Sequence, residues 1–202
     1  MIIIVDYGMG NLFSVKKKLH RLNISADISS DKEQIITADK LILPGVGHFA
    51  KAMNNLQNLN LIDALNDFAL IQKKPILGIC LGMQIMATHS EEGNCNGLGW
   101  FDANVIRFNH SDVKFKNPHM GWNNIHIKKE SPLMQGITKH DEFYFVHSYH
   151  YIATKQEDIL NETEYNYKFC SAIEKENIFG VQYHPEKSHD SGGRLLANFL
   201  KL

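Results

Sequence analysis

An α/β fold with a mixed, largely parallel central sheet, sandwiched between two helical layers, follows from three observations on this 202-residue chain. Short apolar runs at residues 2–5, 41–43 and 75–79 each stop at or just before a glycine-containing bend. Helically spaced apolar residues follow those bends, so the first half repeats strand, loop and crossover helix, the pattern of a parallel sheet buried on both faces. From Trp100 the texture changes to short β-like segments, which adds antiparallel pairing to the regular alternation. The length suits one domain over residues 1–202, and no repeat, low-complexity tract or Pro/Ser-rich linker divides it.

Residues 2–5 form the first strand, which runs into Asp6-Tyr7-Gly8-Met9-Gly10-Asn11; Leu12, Val15, Leu19 and Leu22 then recur at helical spacing. The apolar start has no basic stretch before it and no small-residue cleavage site after it, so it reads as a strand rather than a signal peptide. Gly8-x-Gly10 lacks the third glycine of a dinucleotide fingerprint, and no cofactor is assigned. Residues 24–28 alternate as a second strand, and 41–43 lead into Pro44-Gly45-Val46-Gly47. Helical patterns cover 49–59 and 61–71, and Pro75 opens a strand through Cys80 with a helix from Leu81 through Met83, Ile85 and Met86. Gly93, Gly97 and Gly99 bracket a loop; strands are predicted at 101–108, 122–127, 143–152, 169–174 and 178–183, and a helix at 194–200.

Composition removes several classes of function. Twenty-one basic and 22 acidic residues leave a formal charge of −1, and no basic run exceeds Lys16-Lys17-Lys18, so a nucleic-acid partner is not indicated. No apolar stretch approaches the roughly 20 residues of a membrane span. Three cysteines (Cys80, Cys95, Cys170) without C-x-x-C spacing make no disulfide framework, and a reducing, cytoplasmic setting is expected.

Gly78-Ile79-Cys80-Leu81-Gly82 is the first candidate site. Small neighbours permit a sharp strand-to-helix turn that exposes a nucleophile, and the N–H groups at the start of the helix favour a thiolate and an oxyanion. The alternative is a buried cysteine packed as a small hydrophobe. The Val46 amide in the nearby glycine loop and the Leu81 amide are candidate oxyanion donors, although that loop also reads as a plain strand-to-helix turn.

Eleven histidines compete to serve as the base. His20, His110, His126 and His140 sit in polar or helix-surface contexts, His89 borders an acidic loop, and His48 reads as a helix cap. His184 ends a strand and is followed by Pro185-Glu186; in an extended segment the side chains of residues i and i+2 point the same way, so Glu186 can orient the imidazole. Cys80, His184 and Glu186 then form a triad in the general sense. His147, His150, His184 and His189 lack zinc-site spacing, and no metal is assigned. His147-Ser148-Tyr149 reads either as a loop presenting polar groups to a ligand or as part of a strand face.

With these motifs in hand, and with Pro118-His119-Met120-Gly121-Trp122-Asn123 and Tyr144-Phe145-Val146-His147-Ser148-Tyr149 beside them, the chain resembles the class I (triad) glutamine amidotransferases over its whole length. The resemblance implies their flavodoxin-like three-layer sandwich. It also implies hydrolysis of L-glutamine to glutamate and ammonia through a Cys80 thioester, with His184 moving protons and Glu186 orienting it. Gly45, Gly47, Gln84, Glu92, Ser148 and Tyr149 would surround the substrate. Pro-Gly-Val-Gly, Met-Gly-Trp-Asn and Val-His-Ser-Tyr resemble the members that pass ammonia to a (β/α)8-barrel cyclase subunit in histidine biosynthesis, and Asn11, Tyr144 and Lys187 match positions facing that partner. Near relatives of that group supply ammonia for amidination of surface-polysaccharide sugars. A Cys-His-Glu peptidase or thioesterase and a silent binding module are the rival classes.

Overall fold

The computed structural model describes residues 1–109 and 116–202; His110 lies outside the described residues. In chain order the elements are β1 (Ile2–Val5), α1 (Leu12–Arg21), β2 (Asp27–Ser29), α2 (Lys32–Thr37), β3 (Lys40–Gly45), α3 (Phe49–Asn58), α4 (Ile62–Asn66), β4 (Ile76–Cys80), α5 (Leu81–Gln84), β5 (Ala87–Ser90), β6 (Cys95–Asn96) and β7 (Phe101–Arg107). They continue with β8 (His119–Asn124), β9 (His126–Ile127), β10 (Glu142–His147), β11 (Tyr149–Ala153), β12 (Ile159–Tyr165), β13 (Tyr167–Lys175), β14 (Ile178–Val181) and α6 (His189–Lys201). The main sheet runs β2-β1-β3-β4-β14-β13-β11-β7-β5-β6, with β12 on β13 and β9; β8 and β10 form a separate antiparallel pair. From β2 to β14 the neighbours are parallel, and β13 then pairs antiparallel with β14.

Successive strand residues point to opposite faces, and both faces are covered. Ile3, Val5, Leu41, Leu43 and Ile76 pack with Phe49, Leu56 and Leu65 of α3 and α4. Ile4, Ile42, Leu77 and Ile79 pack with Val15 and Leu19 of α1 and with Leu195, Leu196 and Phe199 of α6.

Several sequence expectations are corrected. The helix after Cys80 is a single turn, because the Ile85, Met86 and Ala87 carbonyls accept from the Leu98, Trp100, Phe101 and Gly99 amides instead of continuing the spiral. The expected 61–71 helix passes from α4 into a π-helical stretch at Asp67–Ile71. Residues 122–127 and 143–152 each divide into two strands, at Ile125 and Ser148. Helix α2 and strands β5, β6 and β12 were not anticipated. Strand β12 is hidden by buried polar residues that satisfy one another: Thr163 donates to Ser171 (2.8 Å), Ser171 to Asn161 (2.7 Å) and Asn161 to Tyr183 (3.1 Å).

Gly82 is the tightest backbone contact at the strand ends, since a Cβ placed there would lie 1.7 Å from the Leu43 carbonyl oxygen. Among the described residues, a Cβ on Gly99, at φ +70°, meets nothing within 4 Å. Gly82→Ala should cost about 3 kcal/mol or more, against about 1–2 kcal/mol for Gly99→Ala. Urea unfolding of both variants checks this, and equal losses would contradict it.

Candidate active site

The carboxyl ends of β3, β4 and β14 lie side by side, with Gly45 opposite Cys80 and Val181 opposite Ile79. Cys80 terminates β4 at φ 55°, ψ −111°, a left-handed conformation that costs a non-glycine residue about 1–3 kcal/mol. The flanking glycines are demanded by packing as well as by the turn: a Cβ on Gly78 would stand 2.6 Å from the Gly82 carbonyl oxygen. With α5 only one turn long, its macrodipole is small. What remains of the anion-favouring effect is the first-turn N–H groups, which have no partner within the helix.

His184 lies beyond the end of β14, which stops at Val181, and Pro185–Lys187 forms a 3-10 turn. The pairing with Glu186 is therefore made by a tight turn and not, as expected, by an extended segment. Nδ1 of His184 and Oε1 of Glu186 are 2.8 Å apart, and both side chains are almost fully buried. Nδ1–H donates to the carboxylate, so Nε2 is the nitrogen left for Cys80. Nε2 is buried and, among the described residues, has no partner at hydrogen-bonding distance. Burial works against a charged imidazole here, but the Cys80 thiolate and Glu186 outweigh it, and the His184 pKa is pushed up to about 10. The turn is held in place by Ser188, whose hydroxyl donates to the His184 carbonyl (2.6 Å) and accepts from the Tyr144 amide (2.9 Å).

A cavity of about 310 Å³ opens over the thiol, lined by Val46, Gly47, Cys80, Leu81, Gln84, Glu92, Pro118, Val146, His147, Ser148 and Tyr149. A larger cavity of about 790 Å³ near Ile127–Gln135 lies away from these groups, so chemistry rather than size marks the site. Of the sequence-predicted substrate residues, Gly47, Gln84, Glu92, Ser148 and Tyr149 line the cavity, as do Val46 and Leu81. Gly45 lies beneath it, where a Cβ would come 2.3 Å from the buried Tyr7 hydroxyl. Glu92 accepts from the Phe49 amide (2.8 Å) and thereby caps α3; His48 occupies the cap position without making the bond expected of it.

Asn11 caps α1 by accepting from the Ser14 amide (3.1 Å), and the Lys187 ammonium lies 5.4 Å from the centre of the Tyr144 ring. Trp122 borders that ring at 5.8 Å and stacks on His189 at 4.8 Å. Sequence reasoning missed Gln182, whose Nε2 is 3.6 Å from Cys80 Sγ. Its only signal was an amide at the end of the otherwise apolar strand leading to His184. Among the described residues, no His/Cys/Asp/Glu group is arranged to hold a metal, and no helix is long and apolar enough to cross a membrane.

A family model described as glutamine amidotransferase class-I matches residues 3–202. The chain is 48% identical to imidazole glycerol phosphate synthase subunit HisH 2 of Methanococcus maripaludis, over all of this chain and 99% of that one. It is 46% identical to the HisH 1 subunit of Campylobacter jejuni, with full coverage of both chains. Among solved structures, a glutamine amidotransferase superposes with a TM-score of 0.75 at 18% identity, covering 100% of this chain and 98% of that one. The PurLQS structure from Thermotoga maritima superposes at 0.71 and 17%, covering 99% and 97%. With its strained thiol, its buried His-Glu pair and these full-length matches, the chain belongs to the class-I glutamine amidotransferase family, among the HisH subunits of imidazole glycerol phosphate synthase.

Proposed function

We propose that this chain, as one domain in a cytoplasmic heterodimer, hydrolyses L-glutamine and hands the ammonia to a (β/α)8-barrel cyclase subunit of the HisF type. The observation that carries the chemistry is the His184–Glu186 bond, which leaves Nε2 for the thiol. Cys80 Sγ attacks the carboxamide carbon, forming the C–S bond. His184 then gives its proton to the departing nitrogen as the C–N bond breaks. A water deprotonated by His184 attacks the thioester, and glutamate leaves as the electron pair of the C–S bond returns to sulfur. Glu186 holds the imidazole tautomer throughout.

The Val46 and Leu81 amides receive the developing oxyanion. Glu92 pairs with the substrate α-ammonium, while Gly45, Gly47, Gln84, Ser148 and Tyr149 frame the rest. Asn11, Tyr144 and Lys187 face the partner. In support, Phe13, Val46, Met120 and Trp122 are large apolar residues left exposed near these positions or the strand ends. A Gly45–Val46 peptide free to turn would tie glutaminase activity to the partner's state.

Three outcomes are expected for activity. In the complex with a HisF-type cyclase and its ligand, Cys80→Ala should lose about 10⁴-fold or more of glutamine hydrolysis; retained activity would remove Cys80 as nucleophile. The wild-type gene should restore growth without histidine to cells lacking their own subunit. Failure with an active glutaminase would assign the ammonia to another acceptor, such as a sugar undergoing amidination. Val46→Pro, which deletes one oxyanion donor, should lower kcat about 10²–10³-fold with a smaller change in KM; steady-state kinetics read the split.

Stability should also depend on pH. The folded chain holds the His184 proton up to about pH 10, against about 6.5 for an unfolded histidine. The resulting stabilisation is fully present below about pH 6.5 and is lost as pH rises through about 10. The wild-type advantage over His184→Gln in urea midpoint should therefore shrink between those values; a constant margin would contradict the charged imidazole.

A further inference from the structure

We infer that Gln182 is a catalytic residue whose side-chain N–H is a fixed hydrogen-bond donor to the Cys80 sulfur, locked in that orientation by Gln84. The inference rests on Cys80 being the nucleophile and goes beyond the triad and its oxyanion donors. Gln182 is fully buried, and its Nε2 lies 3.6 Å from Sγ.

The direction of the amide follows from an acceptor that cannot change its role. The Tyr149 carbonyl oxygen accepts from His147 Nδ1 (2.7 Å) and from Gln84 (3.1 Å), so the Gln84 atom facing it must be the NH₂ nitrogen. The second proton on that nitrogen meets Gln182 at 2.9 Å, so the Gln182 atom there must be the carbonyl oxygen. The NH₂ of Gln182 is then the end aimed at the sulfur. A flipped amide would place two oxygens against each other or two donors against each other, and each such clash leaves a buried group unsatisfied.

A donor locked on the sulfur favours thiolate over thiol. It stabilises negative charge on the sulfur whenever that charge is present, as it is when the sulfur attacks the carboxamide. In the second half of the reaction it eases return of the C–S electron pair to sulfur, because a stabilised thiolate leaves more readily. Gln84 lines the cavity while its nitrogen holds Gln182, so one side chain links the substrate space to the nucleophile's hydrogen bond.

The test is the pH dependence of Cys80 alkylation by iodoacetamide in the wild-type complex and in Gln182→Leu and Gln182→Glu, with the Cys80 peptide followed by mass spectrometry to separate it from Cys95 and Cys170. His184 and Tyr7, the other groups coupled to Cys80, are unchanged in all three proteins. Gln182→Leu should move the alkylation midpoint up by about one to two pH units. Gln182→Glu, which places oxygen where the donor stood, should move it further. An unchanged midpoint in a folded Gln182→Leu protein, whatever its thermal stability, would overturn the inference by reducing Gln182 to packing. If Gln182→Leu does not fold, Gln84→Met serves instead: it frees the Gln182 amide to turn and should raise the midpoint by a smaller amount, whereas no rise would again overturn the inference. Whether alkylation of wild-type Cys80 abolishes glutamine hydrolysis is a separate readout, so failure of the nucleophile assignment is distinguishable from failure of the Gln182 assignment.

Discussion

In a parallel sheet the carboxyl ends of the strands lie along one edge, and here β4 is paired at that edge with β3 through Gly45 and Cys80, and with β14 through Val181 and Ile79. Those two pairings bring the glycine loop, the thiol and the His184 turn within reach of one another. They hold only if α5 can lie almost on top of β3, which requires that residue 82 have no side chain. The strained backbone at Cys80 belongs to the same bend, where the chain leaves β4 sharply and brings Gly82 against the Leu43 carbonyl. The bend at Cys80 and the close packing of α5 on β3 are therefore parts of one turn.

What could be read from the amino-acid sequence was what local pattern encodes. Continuous apolar runs marked β1, β3 and β4 because a strand buried on both faces needs them. The glycines around Cys80 marked the bend, and Glu186 could be linked to His184 because they are two residues apart. Features set by distant partners were not legible. The length of α5 is decided by amides at Leu98 and Trp100, and β12 is kept in the core by Ser171 and Tyr183. The Gln84–Gln182 contact joins residues 98 positions apart. The His184–Glu186 pair was legible for a reason that needed correction: a 3-10 turn, not an extended segment, brings the two side chains together.

Around the thiol, backbone carbonyls set the polarity of the side chains. Tyr149 supplies an acceptor that orients both Gln84 and His147. With its Nδ1 donating there, His147 presents Nε2 as an acceptor to His119 Nδ1, 3.1 Å away. Burial, reinforced by His119, holds the His147 pKa well below the usual range, so His147 stays neutral while His184 is driven the opposite way by the thiolate and Glu186. Two imidazoles in one small region thus have opposite charge preferences, a separation that suits one to proton transfer and the other to scaffolding.

The β4–β14 pairing joins segments about a hundred residues apart, with Ile76 opposite Ile178 and Ile79 opposite Val181. Closing so long a loop is entropically late in folding, since the cost is met before the contacts form. A chain that has collapsed its first βα units already contains Cys80 and the glycine loop but lacks His184 and Glu186 beside them. The thiol and His184 thus come together only once the far end of the chain has docked, so a partly made chain holds the two halves of the site apart.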